Sequence, residues 1–200
     1  MSKKYAIIAL TGIAAVLAAA PSSKAAVTAA NNYKQGKVYK ITPKSKPFKN
    51  KYVKAPTYNK KTRTYFTIRS YMEKFQKAKK GTLVLKKGTY KITNTIQVPS
   101  NVTIILEKGA KIVKSNQTGT KKMKAATTIF QLIKPSNREK SNVYGGHNGE
   151  KNIHFVGKGS NVMDLKYLKA NIAIVMGHNK DITVSGITFQ NVNTCLLYTS

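Results

Sequence analysis

The stretch Gly81-Thr-Leu-Val-Leu-Lys-Lys-Gly88-Thr-Tyr-Lys-Ile92 decides the fold. A glycine opens a short apolar run, a Lys-Lys-Gly turn interrupts it, and a second run starts at Thr89-Tyr90. The spacing leaves no room for a crossover helix between the two strands, and with the amphipathic stretch that runs into it from Ile68 the segment reads as the entry to a β-solenoid. Upstream, residues 68–80 read as an amphipathic helix with Ile68, Met72 and Phe75 on one face and Tyr71 and Ala78 beside it. Ser70 and Glu73 have the spacing of a capping box, and Gly81 stands where a C-terminal stop is expected.

Downstream, the same grammar repeats. Strands are expected at Thr82–Leu85, Tyr90–Ile92, Ile96–Val98, Val102–Leu106, Lys111–Val113, Thr128–Ile133, Asn152–Val156, Val162–Met163, Ile172–Met176, Ile182–Val184 and Ile187–Phe189. Pro99-Ser-Asn101 and Glu107-Lys-Gly109 mark turns. Asn101-Val-Thr-Ile-Ile-Leu-Glu-Lys-Gly-Ala-Lys-Ile112 is echoed by Asn152-Ile-His-Phe-Val-Gly-Lys-Gly-Ser-Asn-Val-Met163 and by Asp181-Ile-Thr-Val-Ser-Gly-Ile-Thr-Phe189. Each has an Asn or Asp, an alternating strand and a glycine turn. Such near-repeats mark stacked architectures. The expected fold is all-β, a right-handed parallel β-helix (a solenoid) with a short N-terminal capping helix over its open first coil. Polar segments 115–124 and 136–149 are expected to protrude as loops.

The ends of the chain differ from this middle. Met1-Ser-Lys-Lys-Tyr5 is positively charged, Ala6 to Ala20 is apolar, and Ser23-Lys-Ala25 has the small residues of a cleavage site. That pattern predicts a signal peptide over 1–25, a secreted product, and no membrane association after cleavage. Residues 26–66 are basic and rich in Tyr and Pro, a leader or linker with an extended arm packed on the domain as the alternative. Residues 67–193 form the β-helix domain. Thr194-Cys-Leu-Leu-Tyr-Thr-Ser200 breaks the alternation and resembles translated adaptor sequence, so the frame is expected to be lost near Asn193 and the domain to be truncated.

Composition narrows the function. The chain of 200 residues carries 36 Lys and Arg against 6 Asp and Glu, a net charge of +30. Removal of Lys3, Lys4 and Lys24 with the signal peptide leaves 33 basic residues against 6 acidic, near +27. Such a surface attracts polyanions. The secretory signal and the lack of a recognition motif argue against nucleic acid. A single cysteine, Cys195, excludes an internal disulfide framework. Serine triads, phosphate-binding loops and dinucleotide fingerprints are absent, and no cofactor or metal is expected: three scattered histidines suit no zinc site, and two aspartates are too few for calcium.

The helix, the Gly81-Thr-Leu-Val-Leu and Gly88-Thr-Tyr90 pair, and Ser100-Asn-Val-Thr-Ile104 together resemble the N-terminal part of the pectin-lyase-like right-handed β-helix proteins. The branch most resembled holds polygalacturonases, rhamnogalacturonases and related pectate-lyase-superfamily proteins. Gly157-Lys-Gly159 with Asp164 is similar to the glycine-rich turn and Asp of its early coils; Lys80 and Leu165 depart from its usual glycines. The resemblance spans about Ile68 to Asn193. It implies a secreted carbohydrate-active protein that cleaves or modifies an acidic, pectin-like polysaccharide. In the polygalacturonases the catalytic carboxylates come from a paired-Asp motif and an Asn-Thr-Asp motif of the middle coils. Neither occurs here, so the catalytic coils are expected to be missing from this chain.

Within the chain, Asp164 and Asp181 are the candidate catalytic carboxylates, because Glu73, Glu107, Glu139 and Glu150 fall in a cap, turns and a basic loop. Gly177-His178-Asn179 superficially resembles the Gly-His-Gly of polygalacturonases, which makes His178 a third, weak candidate. His147 reads as a loop residue, and His154 alternates within a strand on a face expected to meet solvent. The expected partner is an acidic polysaccharide or anionic cell-wall polymer, bound by a monomer. The alternative is a non-catalytic cell-surface or glycan-binding β-helix protein.

Overall fold

The computed structural model describes residues 31–140, 149–193 and, as backbone alone, 197–199. The expected signal peptide, His147 and Cys195 lie outside the described residues. In chain order the elements are β1 (Val38–Ile41), α1 (Asn50–Val53), α2 (Arg63–Ala78), β2 (Gly81–Leu85), β3 (Gly88–Ile92), β4 (Ile96–Gln97), β5 (Val102–Leu106), β6 (Ala110–Lys114) and β7 (Thr128–Gln131). After a 3-10 turn at Pro135–Asn137 come β8 (Lys151–Gly157), β9 (Val162–Asp164), β10 (Ile172–Met176), β11 (Lys180–Ser185), β12 (Thr188–Gln190) and β13 (Leu197–Thr199). Every strand expected from the sequence is present, with its ends within two residues of those expected.

The fold is all-β, in three parallel sheets. Sheet 1 has the order β1-β2-β5-β8-β11, sheet 2 the order β12-β9-β6-β3, and sheet 3 the order β13-β10-β7-β4. From β2 onward the chain visits sheets 1, 2 and 3 in rotation, so every third strand pairs with its predecessor. Identical registers stack apolar residues into inward columns: Leu83, Ile104, Phe155 and Val184 in sheet 1; Tyr90, Ile112, Met163 and Phe189 in sheet 2; Ile96, Phe130 and Ile174 in sheet 3. The first three members of each column are fully buried. Each fully buried large side chain contributes up to about 1.5–3 kcal/mol.

Helix α2 packs on β2, β3 and β4 and places Ile68, Met72 and Phe75 in the same core. It begins five residues before the expected start, and the expected capping box does not form. Ser70 lies inside the helix, where its Oγ donates to the Thr67 carbonyl at 2.6 Å and accepts the Phe48 amide at 2.8 Å. Glu73 instead pairs with Arg69 (3.1 Å), Lys51 (3.4 Å) and Arg138 (3.4 Å) and accepts the Tyr52 hydroxyl. The true start is set by Asn59, whose Oδ1 accepts the Lys61 and Thr62 amides at 2.8 and 3.3 Å, an Asx turn that orients the first helical residues. Gly81 is not the stop either. Lys79 takes the left-handed conformation (φ 62°), and Gly81 opens β2, where a β-carbon would overlap the Phe75 ring.

Residues 31–66 pack on the sheets. Strand β1 extends sheet 1 beside β2. Residues 31–35 cross the outer face of the same sheet. The Gln35 amide donates to Thr82 Oγ1 (2.7 Å), its Nε2 to Thr103 Oγ1 (3.3 Å) and to the Asn152 carbonyl (3.1 Å), and Thr103 Oγ1 donates to the Tyr33 carbonyl. Tyr33 covers Val84, Ile105 and Val156. Burial on both faces explains the near-continuous apolar runs of β2 and β5. At the far end, Leu197–Thr199 pairs with β10 in parallel register.

Candidate functional site

The three sequence candidates occupy three different settings. Asp164 closes β9 and is 2% exposed. Lys111 Nζ lies 3.0 Å from its Oδ2, while Asn191 Nδ2 and the Lys166 amide donate to Oδ1 at 2.7 and 2.9 Å. Burial pushes this carboxyl up, but the Lys111 ammonium and the donors from Asn191 and Lys166 outweigh it and hold it below the ordinary Asp value. A carboxylate engaged on both oxygens anchors the turn at Lys166 and Tyr167, both of positive φ, and is ill suited to attack or to give up a proton. Asp181 is the second residue of β11, on another sheet, exposed, with φ 55°. His178 is exposed in the Gly177-His178 bend before β11; its carbonyl sits where a β-carbon at Gly149 would fall. The expected solvent-facing histidine, His154, is covered. It points out of sheet 1 but lies under the Tyr33 ring (centroids 4.6 Å apart), with Nε2 2.7 Å from Asn152 Oδ1. Burial lowers its pKa, with Asp181 opposing.

A cavity of about 230 Å³ opens between the end of α2 and the turns before β5 and β8, lined by Gln76, Lys79, Pro99, Ser100, Asn101, Lys134 and Glu150. Glu150, 6% exposed, is the carboxylate in it. Its Oε2 accepts the Ser100 amide (2.5 Å) and hydroxyl (2.6 Å), tying one turn to the next. Carboxylate-pair glycoside hydrolysis requires two such groups roughly 5–9.5 Å apart, and this lining has one. With two lysines and two side-chain amides beside it, the cavity can hold a polar group by hydrogen bonds. The other acids are engaged as well: Glu73 in the α2 ion-pair network, Glu107 with Lys86 (3.0 Å) and Glu139 with Arg138 (2.8 Å). Among the described residues, no three His, Cys, Asp or Glu side chains come together as a metal-binding group.

Cations do come together. The turns that follow three of the five sheet-1 strands carry lysine and glycine: Lys86-Lys87-Gly88 after β2, Glu107-Lys108-Gly109 after β5, and Lys158-Gly159 after β8. Strand register puts Lys86, Glu107 and Lys158 on successive levels. Lys40 from β1 and Lys34 from the crossing arm join this corner, and both, with Lys86, act on the Lys158 ammonium. Burial first, and then these neighbouring cations, lower the Lys158 pKa, with Glu107 opposing. Six lysines thus face one glutamate. Sequence reading missed the cluster because its members are scattered from residue 34 to residue 158. The lysine-glycine turn that recurs after β2, β5 and β8 was the available signal.

Compared with protein-family models, curated proteins and solved structures, the chain matches none.

Proposed function

We propose that this chain is a secreted right-handed parallel β-helix protein that binds an acidic polysaccharide. The observation that carries the reading is the lysine corner, where stacking brings together cations that the described carboxylates do not neutralise. An anionic polymer would relieve that repulsion and would be drawn in from a distance by the net charge. The β-helix reading is supported by the rotation of strands through three parallel sheets and by the strong preference of parallel crossover connections for the right hand; a left-handed crystal structure would contradict it. Secretion is supported by the positive, apolar and small-residue segments of 1–25, and sequencing the N-terminus of the exported protein tests it.

Binding is favoured over cleavage because each of the six acids has a place in turns, ion pairs or corners, and the two that come together, Glu73 and Glu139, are both held by Arg138. A hydrolase or lyase acting on the same polymer would need carboxylates other than these. The test uses protein without residues 1–25. Affinity for polygalacturonate and for a neutral polysaccharide of matched length is measured at low ionic strength, and product release is followed in parallel. Retention of the polyuronate alone, without new chain ends, is the expected result. Failure to retain it at low salt removes the binding reading, and reproducible turnover removes the assignment of the carboxylates.

A further inference from the structure

The corner between sheets 1 and 2 has a direction as well as a charge. Strands β2, β5 and β8 are adjacent in sheet 1, so the turns that follow them are stacked at the inter-strand spacing of about 4.8 Å. The glycines of these turns make room for lysine stems. Gly109 and Gly159 have φ of 79° and 74°, a conformation that favours glycine. A β-carbon on Gly109 would come to 3.0 Å from Lys87 Cγ, and one on Gly159 to 3.6 Å from Lys108 Cβ and Cγ. Lys87 and Lys108 therefore each lie along the glycine of the next level, and their stems run lengthwise down the stack. Lys87 and Lys108 are exposed and Lys158 is half-buried. Lys86 is tied to Glu107, which leaves on the three levels Lys87 and Lys108, at the same turn position, and Lys158, one position earlier in its turn and donating to Asn31 Oδ1 at 3.4 Å.

We propose that this lysine-glycine column is a binding track for a linear polyuronate lying across the strands, with one carboxylate of the polymer meeting one lysine per level. The proposal rests on the acidic-polysaccharide reading above and adds the location, the direction and the repeat. The level spacing is close to the length that one hexopyranose adds to an extended chain, so successive uronates keep in step with successive lysines. A poly(glycerol phosphate) chain has a longer repeat and falls out of step. Affinity should therefore climb with each uronate up to about as many units as there are lysine levels, and flatten beyond.

The experiment measures affinity for oligogalacturonates of increasing length at fixed low salt. It compares the protein lacking residues 1–25 with K87Q/K108Q/K158Q, with K87R/K108R/K158R, and with K77Q/K121Q/K122Q, whose exposed lysines lie away from this corner. Thermal unfolding of each variant checks that it is folded. The glutamine variant of the column is expected to lose roughly tenfold or more, the combined effect of several exposed charge pairs. The arginine variant is expected to keep its affinity and the distant variant to lose less than about threefold. Equal losses in the column and distant variants would overturn the track while leaving general polyanion binding intact. Absence of binding by the unsubstituted protein would remove both readings. Affinity independent of oligomer length, or a preference for poly(glycerol phosphate) of equal charge, would overturn the register between uronate and lysine.

Discussion

Two corners of the same circuits are built from opposite physics. The corner before sheet 1 is held by Asn101, Asn152 and Asp181, which stack in register with φ of 59°, 57° and 55°. Asn152 Nδ2 donates to Asn101 Oδ1 at 3.0 Å and to Gln35 Oε1 at 2.9 Å, and Asn101 Nδ2 donates to the Lys79 carbonyl at 3.0 Å. The corner after sheet 1 has like charges and glycines instead. In the first, side-chain hydrogen bonds reward a backbone conformation that most residues avoid. In the second, side chains repel one another and the backbone is relaxed by glycine. One corner holds the circuits together, and the other is the corner proposed to meet the polymer.

The sharpest way to break this comparison is at Asn152. Replacement by alanine forces a residue with no compensating side chain into the left-handed region, at about 1–2 kcal/mol, and deletes three hydrogen bonds, with Gln35, Asn101 and His154, worth about 1 kcal/mol each. Asn152→Ala is expected to lower stability by about 4 kcal/mol in urea unfolding. Asn152→Gly restores the backbone freedom but not the bonds and is expected to cost about 1–2 kcal/mol less. If the two variants cost the same, the left-handed corner is not where the asparagine acts.

That corner was legible in the sequence and the other was not, for a physical reason. At the start of β5, β8 and β11 the left-handed conformation is favoured by a small polar residue at that very position, so the requirement is local and appears as Asn101, Asn152 and Asp181. The strands were legible likewise, since alternation and turns are local. The start of α2 was not. Ser70 and Glu73 have capping spacing, but tertiary partners claim both: Phe48 for the serine, and Arg69, Lys51, Arg138 and Tyr52 for the glutamate. Gly81 was misread because the Phe75 ring that excludes a side chain there appears only once the helix is docked. The lysine corner needs more still: it exists only when the register of three strands is known. Candidate carboxylates fared in the same way, because Asp164 is defined by Lys111 and Asn191, each more than twenty residues distant.

Lys114 sharpens the comparison by supplying a cation that has neither neighbours of its own kind nor solvent. It ends β6 pointing inward, 2% exposed, and its Nζ donates to the carbonyls of Ser115 (2.8 Å), Thr93 (3.1 Å) and Ile92 (3.5 Å), with no carboxylate among its partners. Burial lowers its pKa to about 8. Above that value the folded protein releases the proton while the unfolded chain holds it to about 10.4. The unfolded state then binds more protons, so stability rises with pH across this window. Raised pKa values at Tyr52 and Tyr90 act in the opposite direction only as the unfolded tyrosines ionise near pH 10. Lys114→Met is expected to match or exceed the parent by about 1–2 kcal/mol at pH 7 and to flatten the rise between pH 8 and 9.5, as followed by urea unfolding at each pH. A rise that survives the substitution would assign it to another group.

The smallest effect tests the charged corner directly. Lys158 is half-buried among Lys34, Lys40 and Lys86, so removing its charge relieves repulsion while losing little packing. Lys158→Gln is expected to raise stability by a few tenths of a kcal/mol at low ionic strength. The gain should fade near physiological salt, where screening reaches within about 8 Å. The sign matters more than the size. A lysine kept for the fold would lower stability when replaced, as Asn152 does in the facing corner. A lysine kept for a partner should leave the free protein slightly more stable and weaken its hold on the polymer. If Lys158→Gln is destabilising at low salt, the two corners serve the same purpose and the contrast between them fails.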